Sequence, residues 1–272
     1  MNRWFSVFFM LLATAVSSVR ADDEVGPLLD RAIAGDHRSE ANRARDPFRH
    51  PKETLMFMGL RPDATVVEIA PSAGWFTDII APVVKERGKL YAARVGISSP
   101  KSPQIIKDRD KAFLTRMASR PDVFGQVVPT EILAASGEEA APRGSADLVL
   151  TFRNVHNWAK GGSADAMFRT FFDLLKPGGM LGVEEHRARP GTSFEDQVKT
   201  GYMTEQYVIE TAQKAGFRFL GKSEINANPR DTKDHPSGVW TLPPTFALGD
   251  KDREKYQAIG ESDRMTLKFV KP

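Results

Sequence analysis

The sequence predicts an α/β protein: a doubly wound, mostly parallel seven-stranded sheet with the last strand antiparallel, a helical N-terminal cap, and a long insertion before that last strand. Three observations carry the prediction. From Ala64 onward, short apolar runs alternate with amphipathic stretches, the pattern of strands and the helices that cover them. The runs are apolar throughout rather than at every second residue, which requires a sheet covered on both faces. The closing run RMTLKFVKP follows its predecessor with no helical pattern between, so it returns antiparallel.

The elements are read in order. Residues 1–21, MNRWFSVFFMLLATAVSSVRA, combine Arg3, an apolar run from Trp4 to Val16 and the small-x-small end Val19-Arg20-Ala21, the pattern of a cleaved signal peptide. The run is too short for a membrane anchor, which needs about 18 to 20 apolar residues. The expected location is therefore periplasmic or secreted, with no membrane span after cleavage. Among 272 residues there is no cysteine, which excludes disulfides, thiolate catalysis and cysteine-ligated metals and suits an oxidising compartment. Formal charge is +3, and +1 without Arg3 and Arg20, so no basic field argues for nucleic acid. A small-molecule substrate is the expected partner.

Residues 22–60 read as a helical, arginine-rich cap. Pro51 suits a first helical turn and Gly59 a helix end. Arg38, Arg43, Arg45 and Arg49 read as a solvated face paired with Asp36, Glu40 and Asp46, or as the lining of an anion entrance. Residues 61–272 form the main domain. Its strands are expected at ATVVEIA, KLYAARV, Val123 to Val128, ADLVLTF, MLGVEEH, FRFLGKSEI and RMTLKFVKP. Helices are expected at WFTDIIAPVVKE, Ile105 to Met117, DAMFRTFFDLL and TEQYVIETAQKAG.

Two stretches carry chemistry. VVEIAPSAGWFTDIIAP is a strand, a small-residue turn and a helix, the opening of several nucleotide-binding folds. ADLVLTFRNVHNWAKGG, followed by FFDLLKPGGMLGVEEHRA, places a histidine after one strand and Pro177-Gly178-Gly179 before the next. Together with the antiparallel last strand, these resemble the class I S-adenosylmethionine-dependent methyltransferases, whose fold is Rossmann-like. The chain is also similar to a group of exported proteins predicted to be methyltransferases, in GWFTDIIAP, FRNVHNW and SEINANPRDTKDHPSGVWTLPPTF.

The resemblance implies S-adenosylmethionine as cofactor and a set of site residues. Glu68 stands at the acidic position ending the first strand, with Ser72, Gly74 and Trp75 in the turn; Ala70 and Ser72 occupy places where glycine is common. Arg94 stands where the family carries an acid for the ribose hydroxyls, and an arginine there suits a phosphate or carboxylate instead. Arg153-Asn154-Val155-His156-Asn157-Trp158 resembles the His-Asp-Trp element of small-molecule O-methyltransferases. It implies His156 as the base, with Asn154 beside it, Arg153 near the cofactor and Trp158 toward the acceptor. Histidine is the side chain whose ordinary pKa suits base catalysis near neutrality.

Residues 226–264 form an insertion too long for a hairpin loop. It is expected to cover the pocket and to bring Arg230, Asp234, His235 and Trp240 to the substrate, with Glu185 and His186 from the fifth strand. Three alternatives stay open. Ser72 fits a loosened nucleophile elbow with Asp234 or His235 as partners. His156, Glu185, His186 and Asp231, Asp234 or His235 form a possible metal site, in particular a metal-dependent enzyme using His156, His186 and His235, although no ligand set is assigned because no H-x-x-x-H or H-x-H spacing is present. Finally, a lapsed methyltransferase fold binding an anionic small molecule would account for Arg94 and for an exported protein's distance from cytoplasmic S-adenosylmethionine.

Overall fold

A computed structural model describes residues 21–97, 99, 102–132 and 140–272. The expected signal lies outside them except for Ala21. The cap is four helices, α1 (Ala21–Ala34), α2 (Glu40–Arg43), α3 (Asp46–Arg49) and α4 (Pro51–Met58). Pro51 opens α4 and Gly59 closes it at φ +89°, a left-handed conformation that glycine adopts freely.

The main domain runs β1 (Thr65–Ile69), α5 (Thr77–Val84), β2 (Lys89–Val95), α6 (Gln104–Ser119), α7 (Pro121–Phe124), β3 (Val127–Ile132) and β4 (Ala146–Phe152). It continues with α8 (Val155–Lys160), α9 (Ala164–Leu174), β5 (Leu175–His186), α10 (Phe194–Thr200), α11 (Glu205–Lys214) and β6 (Arg218–Ser223). The insertion, with a 3-10 turn at Gly238–Thr241 and α12 (Arg253–Ile259), leads to β7 (Arg264–Val270). Sheet order is β3-β2-β1-β4-β5-β7-β6, and β7 pairs antiparallel with both β5 and β6. Strand order therefore reverses between β1 and β4, and the crevice beyond their carboxyl ends is where ligands bind in open sheets of this kind.

The two-faced burial read from the strands has a direct basis. Val67, Ile69 and Val149 enter a core with Trp158 of α8, Phe168 and Phe171 of α9 and Val208 of α11. Their alternates Val66, Leu148 and Leu150 enter the opposite core with Leu29 of α1, Leu55 of α4 and Ile79 of α5. Each such side chain contributes about 1.5–3 kcal/mol of burial.

Three local expectations differ. Val123 lies in α7, not in a strand: Pro121 starts a short helix that ends at Phe124, and β3 begins only at Val127. β5 starts at Leu175 rather than Met180. Ala146 pairs with Leu175 and Leu148 with Met180, so Lys176 to Gly179 bulge from the strand, with Gly178 at φ +79°. Helices α8 and α10 fall in stretches read as loops; both are short, six and seven residues, and leave little periodic signal. Among the described residues no helix is long and apolar enough to cross a membrane.

Candidate functional site

After β1 the backbone turns through Ala70, Pro71, Ser72, Ala73 and Gly74. Ala70 (φ 53°) and Ser72 (φ 55°) take the left-handed conformation that glycine adopts freely, at about 1 kcal/mol each. Three clefts meet over this turn, and Pro71 and Ser72 line all of them.

The first cleft, about 390 Å³, lies beyond β1, β2 and β4 and is walled by Ile97, Ile106 and Trp158. Arg94 reaches it from the end of β2, but its charge is engaged: Nη1 donates to both carboxylate oxygens of Asp110 at 2.9 Å, and Nε donates to the Thr130 carbonyl at 3.0 Å. A free arginine for a phosphate is thereby corrected to a half-buried ion pair. Asp110, on α6, lines the same cleft and returns a carboxylate to the end of β2. Sequence reading missed it, because only the fold brings α6 over that strand.

Gly74 lines none of the three clefts. A Cβ there would meet the Arg116 guanidinium and stand 2.7 Å from Phe113, so this glycine accommodates α6 rather than a ligand. Trp75 is likewise turned from the first cleft: its Nε1 donates to the Asn42 carbonyl at 3.1 Å, and Arg38 and Arg49 lie over its ring at 5.1 and 4.7 Å.

The second cleft, about 260 Å³, holds Glu68, Arg153 and Asn154. Glu68 is fully buried on β1 and accepts Thr77 Oγ1 at 2.6 Å. Burial raises its pKa to about 7 despite that bond. Asn154 Nδ2 donates to the Ile69 carbonyl at 3.2 Å and to Thr151 Oγ1 at 3.1 Å, tying the ends of β1 and β4 together. It holds the scaffold beside the first and second clefts, both of which it lines. Arg153 donates from Nη1 to Glu184 Oε1 at 2.7 Å.

The third cleft, about 380 Å³, holds His156 and His186 and is covered by Trp240, Pro243 and Pro244 of the insertion. His156 is buried, with Nδ1 2.9 Å from Glu185 Oε1 and its backbone N–H donating to Glu185 Oε2 at 3.1 Å. Glu185 Oε1 also accepts the His186 N–H at 2.8 Å. A carboxylate facing three donors fixes the proton of His156 on Nδ1 and leaves Nε2 as the basic nitrogen. His186 Nδ1 is 2.6 Å from Ser262 Oγ. Burial and then the charges of His156, Arg153, Arg264 and Arg49 push the His186 pKa well down, so it is neutral.

Cap residues complete this cleft. Arg45 Nε and Arg49 Nε donate to Glu261 at 2.7 and 3.0 Å, while Arg38 is buried on Asp46 at 2.6 Å. Of the arginines read as a solvated face paired with cap acids, Arg38 keeps its expected partner Asp46 but is buried, while Arg45 and Arg49 pair with Glu261 of the main domain because the cap closes over the end of the sheet. Glu261 was not foreseen as part of the site; it lies just before β7, in sequence with no motif.

The insertion divides. Trp240 stands edge-on to His156, ring centres 6.0 Å apart. Arg230, Asp234 and His235 line none of these three clefts. His235 Nε2 is 2.9 Å from Asp231 Oδ1 and its ring packs on Tyr256; Asp234 accepts Thr232 Oγ1 at 2.5 Å; Arg230 is exposed. Asp231 is the hub that holds His235 back, and it also accepts the Tyr202 hydroxyl at 3.0 Å and the Asp263 N–H at 2.8 Å. The metal grouping is corrected accordingly: ligand atoms of His156, Glu185 and His186 lie within 4.8 Å of one another, and His235 is not among them. The elbow reading fails too, since β1 is the first strand and Ser72 has no hydrogen-bonded base among the described residues.

Solved structures with this architecture include a SAM-dependent methyltransferase from Aquifex aeolicus, 14% identical, TM-score 0.55, covering 84% of this chain and 93% of that one. The cyclase SpnF is 17% identical, TM-score 0.57, over 92% of this chain and 93% of its own. Phosphoethanolamine N-methyltransferase 2 of Haemonchus contortus, in complex with S-adenosyl-L-methionine, is 18% identical, TM-score 0.54, over 93% of this chain and 58% of its own. No protein-family model and no curated protein sequence matches this chain. The fold is that of class I methyltransferases. Since a cyclase shares it, the reaction has to be argued from the site.

Proposed function

We propose that this protein is an exported methyltransferase that uses S-adenosylmethionine to methylate a hydroxyl of a small-molecule acceptor, with His156 as general base. The observation that carries the reading is the meeting of two clefts over the Pro71–Ser72 turn. One lies at the crossover of strand order; the other contains a histidine oriented by a buried carboxylate.

The first cleft fits a nucleoside. Its turn is held in the conformation that brings backbone close to a ligand, its walls are apolar, and Asp110 supplies a carboxylate for hydroxyls. The cofactor, when bound, supplies an electrophilic methyl group. Asp110 and the turn after β1 would hold it, with Asn154 keeping β1 and β4 in register beside it. His156 Nε2 takes the proton of the acceptor hydroxyl, and Glu185 stabilises the imidazolium that results. Trp240 and the two prolines limit water above His156.

Export is supported by the N-terminal pattern of residues 1–21 and by the absence of cysteine. Calorimetric titration with S-adenosylmethionine and S-adenosylhomocysteine tests the reading. No heat at about millimolar ligand sinks it in favour of a lapsed fold. His156→Ala is expected to leave that binding intact and abolish methyl transfer to small hydroxylated acceptors.

One observation favours a second reading, a metal-dependent enzyme: the compact grouping of His156, Glu185 and His186. The surrounding arginines oppose a cation. Stoichiometric metal in the purified protein, measured by mass spectrometry, would replace the first reading with this one.

A further inference from the structure

We infer that the third cleft is an oxyanion site: the small molecule that enters it carries a carboxylate or phosphate group, held by Arg49 and Arg109 while the rest of the molecule lies against Trp240. Calling that molecule the methyl acceptor rests on the transferase reading; the anion site does not.

The charge balance of the lining comes first. Arg45, Arg49, Arg109 and Arg153 line the cleft, and Glu261 is the one acidic residue among its lining residues. Glu261 must serve three guanidinium groups at once, those of Arg45, Arg49 and Arg264 at 2.7, 3.0 and 2.9 Å. Arg153 is matched by Glu184. Positive charge is therefore in excess in a place where water is partly excluded. The pKa of Arg49 shows the strain: burial first, and then the charge of Arg153, push it well below the ordinary arginine range. A buried cation of this kind is stabilised by an arriving anion.

The donors are arranged for one. Arg49 is 3% exposed, yet among the described residues only its Nε is hydrogen-bonded and its two η nitrogens have no hydrogen-bond partner. They are also absent from the sealed, unsatisfied polar atoms among the described residues, so they face the cleft. The guanidinium lies 4.7 Å over the Trp75 ring, which holds its plane and leaves the fork of N–H groups for a planar bidentate partner. Arg109, exposed on α6, has no ion pair or hydrogen bond among the described residues, and it lines both the first and third clefts. It is placed to close over an anion from the outside. Trp240, Pro243 and Pro244 offer an apolar wall, and the volume suits a small molecule.

The probes are benzoate, phenyl phosphate and the neutral benzyl alcohol, titrated into the purified protein without cofactor and followed by tryptophan fluorescence and calorimetry. Benzoate or phenyl phosphate is expected to bind, with affinity falling as salt rises, and to bind at least about tenfold more tightly than benzyl alcohol. Whichever of the two wins identifies the oxyanion. Arg109→Gln and Arg49→Lys are each expected to weaken it about tenfold or more, the scale of one charged hydrogen bond. Arg109 is exposed and unpartnered, so its variant folds and keeps the test decisive if Arg49→Lys does not. Equal binding of the alcohol, no binding of either anion, or an unchanged affinity in Arg109→Gln overturns the assignment. Because no cofactor is present, none of these outcomes depends on methyl transfer.

Discussion

Nδ1 of His156, on α8, lies 2.9 Å from Oε1 of Glu185, near the end of β5, and the same carboxylate accepts the His156 backbone N–H at 3.1 Å. The pair joins the loops after the fourth and fifth strands and orients the ring toward the third cleft. Glu185→Gln would remove the negative charge that stabilises a His156 imidazolium and set an amide N–H against one of the three donors that the carboxylate now accepts. We expect kcat to fall at least about tenfold with KM little changed, approaching the loss in His156→Ala of about 10²–10⁴. Initial rates of methyl transfer over a range of pH check this; wild-type turnover in Glu185→Gln would remove His156 from the base role.

Asp110 is expected to matter for the cofactor rather than the acceptor. Asp110→Asn should weaken S-adenosylmethionine about tenfold, the scale of a charged hydrogen bond, and leave phenyl phosphate binding in the third cleft within about twofold. Parallel calorimetric titrations separate the two effects. A variant that binds cofactor as well as wild type would show that Asp110 serves only Arg94.

Glu68 makes stability depend on pH. Burial raises its pKa from an ordinary 4.5 to about 7, so the folded state holds a proton that the unfolded state releases between those values. The associated stability is full below about 4.5 and is lost as pH rises through about 7. Glu68→Gln, which keeps the shape and cannot ionise, should lose less stability than wild type over that interval. Urea midpoints measured across it test the sign, and the slope removed is at most about 1.4 kcal/mol per pH unit.

Glu261 acts in the opposite sense. Burial works to raise its pKa, but Arg49, Arg264, Arg45 and Arg153 together hold it at about 2. Its contribution is full above the ordinary 4.5 and disappears as pH falls toward about 2. Glu261→Gln should be destabilised by about 3–5 kcal/mol near neutrality, having stranded buried arginines, and should lose less on acidification than wild type. Chemical unfolding at neutral and acid pH measures both.

Two changes in the β1 turn are expected to have opposite signs. Gly74→Ala places a methyl group 2.7 Å from Phe113 at φ +79°, and should cost about 1–3 kcal/mol. Ala70→Gly relieves φ 53° and should be neutral or stabilising by up to about 1 kcal/mol, where glycine in a regular element would cost stability. Thermal unfolding of the two variants decides.

The fold was legible because its signals are local. Val66 and Val67 both read as buried, and they enter opposite cores, as a doubly covered strand requires. The return of the last strand followed from the missing helix before RMTLKFVKP. Val123 was misplaced because Pro121 starts a helical turn just before the strand. His156, Glu185, His186 and Trp240 could be named because strand ends and long insertions gather at one edge; His156, His186 and Trp240 line one cleft, and Glu185 is buried behind them against His156. Arg230, Asp234 and His235 carried the same signal. They stay apart because Asp231, a residue with no distinctive motif, binds His235, Tyr202 and the Asp263 amide and folds that part of the insertion on itself.

The sequence by itself determined the class of architecture, the location of the turn after β1 and the chain order of the seven strands. These depend on periodicity and backbone preference, which are properties of neighbouring residues. Only the tertiary structure decided the charges. It set Arg94 against Asp110, brought Arg45 and Arg49 across more than two hundred positions to Glu261, and left Arg49's η nitrogens facing a cleft. Coulomb interactions and hydrogen bonds act on distance in space, and that distance is created only when the cap closes over the end of the sheet.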